Sequence, residues 1–269
     1  MDWTSADLAA FNIVVQDQDQ DTFFDGPLPD YSRFSGFIEK EEIDIPRKFS
    51  FQLALNVERA RKCMDASPVN ADWEFNAFLD SLLRFMSYQD LGGHPAHTSI
   101  IMGNNIRMIV RNEFAVTIAN VEVKHNLTML IVQHNKTPIK LSDPEAHLIA
   151  TAIGAFQQNK EAETRTELEE QAIFGITTAE QIIPTFYKIK VTTELDTAVR
   201  LGEKPATQTV VYRHKARVPN PYHDIMILEN RRRIVLYLEG LRKLLDAQCC
   251  GFLCTAGSRY CQKRGIAAR

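Results

Sequence analysis

Long apolar runs are missing from this sequence of 269 residues. No stretch of about 18 apolar residues occurs, and the opening residues MDWTSADLAAFNIVV lack the basic start and apolar core of a secretion signal. An excess of positive charge is also missing, because the formal net charge is -3 and the pI is about 6.2. We therefore expect a soluble, intracellular protein of the cytoplasm or the nucleus, in which only a local basic patch could contact nucleic acid.

Common catalytic and metal-binding motifs are missing as well. The sequence has no Walker loop, no G-x-S-x-G elbow and no G-x-G-x-x-G, and its seven histidines never show H-E-x-x-H spacing. The five cysteines include no C-x-x-C pair and are Cys63, Cys249, Cys250, Cys254 and Cys261. This spacing favours a reduced, loosely ordered tail over a zinc site, and acylation of the Cys249 and Cys250 pair is a further alternative.

Enough apolar residues are present, at 45%, to form the core of one large domain. Residues 1–50 are rich in Asp, Gln, Phe and Pro, and we interpret them as an extended arm with a short helix near residues 5–11. Residues 51–247 form the single predicted domain. Residues 248–269 form the Cys-rich tail.

Apolar spacing of three and four residues predicts several helices in this domain. They cover residues 48–65 and 73–87, a segment from Asp143 and Pro144 to about residue 158, and a short helix from Thr193 to Gly202. The stretch MILENRRRIVLYLEGLRKLLDAQ is predicted to be a long closing helix. Its inward residues are predicted to be Ile234, Val235, Leu238, Leu241, Leu244 and Leu245.

Alternating apolar residues predict the strands. These cover residues 99–103, 106–112 and 114–124, then LTMLIVQ, PTFYKIKVT and TQTVVYRHKARV, with His125 and Asn126 as a hairpin turn. Residues 158–170 are expected to be a solvated helix or loop, and GITTAEQ is interpreted as containing a capping box. The order of elements predicts an α+β or mixed α/β domain, with a central, mostly antiparallel or mixed sheet flanked by helices.

Five segments carry a resemblance to a known family. They are LLRFMSY, LIVQHNK, DPEAHLIATAIGAFQ, PTFYKIKVTTEL and NRRRIVL, between residues 82 and 236. In order and spacing they resemble a family of uncharacterised fungal proteins with the pattern T-D-V, L-L-L-V-Q-E-D-K, D-P-E-x-Q and Y-K-I-P-V-T. That family is similar to the PD-(D/E)XK nucleases, which implies a restriction-endonuclease-like fold.

The resemblance also implies a catalytic site. Lys136 matches the lysine that orients the attacking water, and Gln133 matches the glutamine before the acid. Where the family has metal-binding carboxylates this chain has Ile118 and His134, and His147 replaces the helix glutamine. Because neither residue offers a hard anionic oxygen to Mg²⁺ or Mn²⁺, the resemblance implies a degenerate site without a metal cofactor and a role in binding or interaction.

Two alternatives remain open at this level. Glu113 or Glu122, with Lys124, could supply a rearranged acid for an active Mg²⁺- or Mn²⁺-dependent nuclease, because E-V-K formally satisfies E-x-K. The cluster of Arg231, Arg232 and Arg233 could form a local nucleic-acid patch, although a solvated helix face is the plainer interpretation. The partner itself is not identified by the sequence.

Overall fold

A computed structural model of the chain describes residues 3–29, 82–83, 86, 93–94, 97–102, 106–111, 114–120, 125–134, 143–162, 168–178, 183–219 and 227–254. For those between 93 and 127, and for 134, 162 and 249–254, it describes the backbone alone. The helices are α1 (Ser5–Ala10), α2 (Gln20–Phe23), α3 (Pro144–Ala162), α4 (Thr193–Leu201) and α5 (Leu228–Cys254). The strands are β1 (Ile13–Asp17), β2 (Gly93–His94), β3 (His97–Met102), β4 (Ile106–Arg111), β5 (Phe114–Asn120), β6 (His125–His134), β7 (Glu170–Thr178), β8 (Pro184–Thr192) and β9 (Thr209–Lys215).

Seven of these strands form one mixed sheet. Their order is β1-β9-β8-β7-β6-β5-β2, and β3 and β4 form a separate antiparallel pair. The pairs β1–β9 and β6–β7 are parallel, whereas the other neighbours in the large sheet are antiparallel. Helices pack against this mixed sheet, so the predicted α+β class is confirmed.

Helix α3 covers one face of the sheet and begins where the sequence predicts. The Asp143 side chain accepts a hydrogen bond from the Ala146 backbone N–H at 3.0 Å, which caps the helix, and Pro144 is its first residue. The predicted inward residues Leu148, Ile149, Ala152, Ile153 and Phe156 are all fully buried. The helix contacts β3, β6, β7 and β8. It therefore lies between the large sheet and the β3–β4 pair, which explains why apolar residues surround it.

Residues 158–162 of the predicted solvated stretch are helical, as one of the two options had it, but the predicted solvation is wrong at Asn159, which is buried. Its Oδ1 accepts from the Thr128 N–H at 2.7 Å, and its Nδ2 donates to the Thr128 carbonyl and to Gln171 Oε1 at 2.8 Å each. A buried amide whose donors and acceptors are paired costs little and fixes its neighbours. Asn159 thus ties the end of α3 to β6 and β7.

Strand β7 was missed, because GITT was interpreted as part of a capping box. The strand lies between β6 and β8 and is buried on both faces, so it lacks the alternation that reveals a half-exposed strand. A Cβ on Gly175 would lie 2.6 Å from Leu148 Cδ2. Glycine at this position therefore lets α3 approach the middle of the sheet closely.

The strands and the helix that follow β7 agree with the sequence prediction. Strands β8 and β9 are confirmed, and α4 between them begins at Thr193. The Thr192 side chain accepts from the Leu195 N–H at 3.2 Å, and Gly202 ends the helix with a left-handed φ of 73°. Local capping residues thus fix both ends of this helix.

The β5–β6 hairpin is confirmed, but the predicted turn is misplaced. His125 and Asn126 lie in β6, where they pair with Asn120 and Ala119 of β5. The connection consists of residues 121–124, which lie outside the described residues. Ladder pairing uses backbone groups, so a polar dipeptide between apolar runs can still belong to a strand.

The N-terminal segment is part of the domain rather than an arm lying on it. The predicted short helix is confirmed as α1, and Trp3 before it stacks on Phe11 after it, with ring centroids 5.3 Å apart. The chain then enters β1, which pairs in parallel with β9 at the edge of the sheet. The rest of the predicted arm, from residue 30, lies outside the described residues.

Helix α5 closes the domain, as predicted. Five of its six predicted inward residues are buried, and the sixth, Leu244, is half-buried. It continues through Cys254, so the first residues of the predicted tail are helical. Of the predicted helix 73–87, Leu82, Leu83 and Met86 are described, and all three are buried. The predicted helix 48–65 lies outside the described residues. None of the helices described has the length and apolarity needed to cross a bilayer.

Candidate functional site

The strand end that the resemblance implies as a site is formed by Gln133 and His134. Both lie at the end of β6, as predicted, and the Gln133 side chain is only 2% exposed. Lys136, Glu113 and Glu122 lie outside the described residues. The implied catalytic lysine and both alternative acids therefore stay predictions.

Gln133 contacts the residue that replaces the family's helix glutamine. Its Oε1 lies 2.9 Å from Nδ1 of His147, in the first turns of α3. A carbonyl oxygen only accepts, so Nδ1 carries the hydrogen and donates it. The Gln133 Nε2 is buried and has no hydrogen-bond partner. The fold thus brings together two residues that are far apart in sequence, as a neutral amide and an imidazole.

The register of the hairpin separates the other implied pair. Ile118 pairs with Leu127, and the seven positions from Leu127 to His134 span about 23 Å of strand. The backbone positions of Ile118 and His134 therefore lie far apart along the hairpin. The matching of Ile118 to the family's aspartate, made on sequence order alone, stays a prediction, and this register does not bring it next to His134.

Beside Gln133, an ion-paired cluster ties three elements together. The Arg213 guanidinium of β9 donates to Asp17 of β1 at 2.6 Å through Nε and to Glu145 of α3 at 2.7 Å through Nη1. The hydrogen bond from Arg213 holds the pKa of Asp17 below its ordinary value, and the same bond raises the pKa of Arg213. Both side chains stay charged at any ordinary pH.

Tyr187 completes this cluster. It pairs with Gly175 of β7 and with Arg213 of β9, on the face that α3 covers. Burial raises the pKa of its hydroxyl, and the neighbouring Glu145 carboxylate raises it further, so the hydroxyl remains protonated. The cluster therefore combines a protonated phenol with an arginine that is paired with two carboxylates.

Arg213 and Tyr187 were missed at the sequence level, although a signal was present. Thr209, Val211 and Arg213 alternate along β9 and share one face, and the first two are buried. A charged residue at the third position of an apolar face needs a partner. That pattern could have singled out Arg213, but only the tertiary structure identifies Asp17 and Glu145 as its partners.

The three arginines of the predicted basic patch do not form one exposed patch. Arg231 is fully buried, and Arg233 donates to Gln20 Oε1 at 2.7 Å while its guanidinium lies 5.1 Å from the Tyr237 ring centroid. Further along α5, Arg242 pairs with Glu239 at 2.8 Å and with Asp246 at 2.6 Å. The run of three arginines was misleading because successive residues of a helix face different directions.

Among the residues described, no group of three or more histidine, cysteine, aspartate or glutamate side chains is arranged to hold a metal ion. Comparison of the chain with protein-family models, with curated proteins and with solved structures finds no match.

Proposed function

We propose that this chain is a nuclease-like domain that has lost its catalytic carboxylates and acts as a binding or interaction module. One observation carries the proposal: the Arg213 guanidinium lies between the carboxylates of Asp17 and Glu145, within 2.6 Å and 2.7 Å of them. Metal-dependent nucleases bring carboxylates together on a divalent ion. Here the counter-ion is an arginine, which cannot lose its proton to make room for a metal.

The strand end supports the same proposal. Gln133 and His147, an amide and an imidazole, are joined by a hydrogen bond of 2.9 Å and neither contributes a carboxylate oxygen. Mg²⁺ and Mn²⁺ favour anionic oxygen ligands, so this pair is a poor ligand set. The same proposal includes membership of the uncharacterised fungal family and a location in the cytoplasm or the nucleus. Both of these parts are supported by the sequence alone.

The test is calorimetry with MgCl₂ and MnCl₂ on the full chain, beside a cleavage assay on DNA and RNA. We expect no saturable metal binding and no metal-dependent cleavage. Arg213→Gln should produce weak Mn²⁺ binding, because it leaves Asp17 and Glu145 without their cation. Arg200→Gln is the matched control, since Arg200 pairs with Asp196 and Glu161 away from this cluster, and it should produce none.

The opposite outcome is equally well defined. Metal-dependent cleavage by the unmodified chain that disappears in Lys136→Ala would refute the proposal and establish the active nuclease. Glu113→Gln and Glu122→Gln would then identify which glutamate serves as the rearranged acid.

A further inference from the structure

A cavity of about 470 Å³ opens on another part of the molecule, off the ends of β1 and β9 and beside α5. It is large enough for a small ligand. Successive residues of a strand face opposite sides of the sheet, so His214 faces away from Arg213 and the α3 side. Its lining includes three carboxylates and also Gln18, His214, Arg217, Arg233 and Tyr237.

Two of the three carboxylates in this lining already have strong partners within the protein. Asp17 accepts from Arg213 at 2.6 Å. Asp19 caps α2, where its two oxygens accept from the N–H and the hydroxyl of Thr22 at 2.9 Å and 2.7 Å. Asp21 is exposed and has a long contact of 3.4 Å with Gln20. None of these three carboxylates forms an ion pair with the arginines that line the cavity.

The guanidiniums of Arg217 and Arg233 are not ion-paired with any described carboxylate. Arg217 is exposed, and Arg233 lies over the Tyr237 ring and donates to the neutral Gln20 amide. Burial is the main cause that lowers the pKa of His214; the charges of both arginines lower it further, whereas the hydrogen bond to the Gln18 carbonyl and the charge of Asp19 raise it. Both guanidiniums therefore act on the same buried ring at the wall of the cavity.

Polar atoms without partners lie in the same wall. His214 is only 4% exposed, and its Nδ1 donates to the Gln18 carbonyl at 3.0 Å, which leaves Nε2 with a bare lone pair. Gln18 Oε1 is likewise buried with no partner. The Tyr237 oxygen accepts from the Arg217 N–H at 3.4 Å, and its own hydrogen has no acceptor among the described residues. Such unsatisfied groups require an explanation.

We propose that this cavity binds a phosphate group that retains a hydroxyl, either free phosphate or the phosphate of a small monoester. The anionic oxygens accept from Arg217, Arg233 and the Tyr237 hydroxyl, which are charge-assisted or neutral donors suited to phosphate. The P–OH donates to Gln18 Oε1 or to His214 Nε2, the two acceptors without partners; both atoms are closed to solvent in the structure, so binding includes a shift of the lining side chain that exposes one of them. Phosphate supplies both functions, whereas sulfate has acceptor oxygens but no hydroxyl.

The experiment is calorimetric titration of the full chain at pH 6.5 and constant ionic strength with inorganic phosphate, glycerol 3-phosphate and sulfate. At this pH a fraction of the inorganic phosphate and of the glycerol 3-phosphate molecules keeps a P–OH group, because the second pKa of a phosphate ester is about 6. We expect saturable binding of at least one of them and weaker binding of sulfate. If inorganic phosphate binds more tightly, the ligand of the cavity is the free ion. If glycerol 3-phosphate binds more tightly, the ligand is a monoester.

Variants connect the binding to this cavity. Arg217→Gln changes an exposed residue, so the fold should survive, and we expect about a tenfold loss of affinity, as for one charge-assisted hydrogen bond. Lys204→Gln removes the same charge from the exposed loop after α4 and should leave the affinity unchanged. On the unmodified chain, phosphate should shift the NMR resonance of the His214 Nε2, which needs no variant.

Three results would overturn the proposal. The first is that neither inorganic phosphate nor glycerol 3-phosphate binds saturably, as for a cavity filled by water alone. The second is that sulfate binds as tightly as the tighter of these two ligands. The third is that Arg217→Gln binds that ligand as tightly as the unmodified chain does.

Discussion

At the scale of single residues, the chemistry of this protein lies in polar side chains buried among apolar ones. His214 is packed against the rings of Phe23, Phe24 and Tyr237, with centroid distances of 5.7 Å, 5.5 Å and 5.2 Å. Such surroundings solvate a charged imidazolium poorly. The ring is therefore held in its neutral form, with its single N–H directed at the Gln18 carbonyl.

This environment makes stability depend on pH in a defined direction. Burial lowers the pKa of His214 below its ordinary value of 6.5, so between the two values the unfolded chain binds more protons than the folded one. The contribution is complete above pH 6.5 and is lost as the pH falls toward the folded value. We expect the free energy of unfolding in urea, measured in phosphate-free buffers, to fall from pH 7.5 to pH 5.5.

His214→Phe keeps a ring at this position but removes the titrating group, so part of the pH dependence should disappear. Phe156→Leu is the control, because it changes packing in the α3 core without changing charge and should lower stability equally at every pH. An unchanged pH dependence in His214→Phe would show that other groups cause it.

At the scale of elements, α3 packs closely against β7 at Gly175. Leu148 is fully buried and its Cδ2 lies 2.6 Å from where a Cβ on Gly175 would be. Because neither element can move without disturbing a buried core, the two positions must be complementary in size. The same surface holds His147, one residue before Leu148, against Gln133.

Gly175→Ala should therefore lower the free energy of unfolding by about 1–3 kcal/mol through overpacking. Leu148→Ala alone should cost about 2–5 kcal/mol through loss of buried volume. In the double variant the new methyl group occupies space that the leucine vacates, so the total should be smaller than the sum. Urea unfolding of all four proteins measures the coupling, and strictly additive effects would contradict this contact.

At the scale of the whole molecule, the N-terminal segment completes the domain. Ile13 in β1 is 4% exposed and belongs to the same core as Trp3, Phe11 and Val211. The Asp17 carboxylate at the end of β1 is bound to Arg213 of β9. The sheet, the α3 core and the ion-paired cluster therefore all include residues from the first 20 positions of the chain.

Neighbouring positions of β1 offer a direct test of this. Ile13→Ala removes a buried side chain and should cost about 2–5 kcal/mol in the free energy of unfolding. Val14→Ala is the matched control, because Val14 is 39% exposed in the same strand, and it should cost about 1 kcal/mol or less. Equal small effects in urea unfolding would indicate an arm that lies loosely on the domain.

Elements whose ends are set by local chemistry could be predicted from the amino-acid residues alone. Asp143 and Pro144 begin α3, and Thr192 and Gly202 limit α4, because capping involves residues only a few positions apart. The alternating strands β8 and β9 were predictable for a similar reason, since one face of each is recognisable from its own residues. Together these elements were enough to predict the α+β class.

Tertiary structure alone decided the pairings. The parallel β1–β9 pair, the burial of β7 on both faces and the register that separates Ile118 from His134 depend on residues far away in sequence. The candidate sites have the same origin. Gln133 meets His147, Arg213 meets Asp17 and Glu145, and Arg231 is buried, because packing of the sheet against α3 and α5 sets which side chains lose contact with water and must find partners.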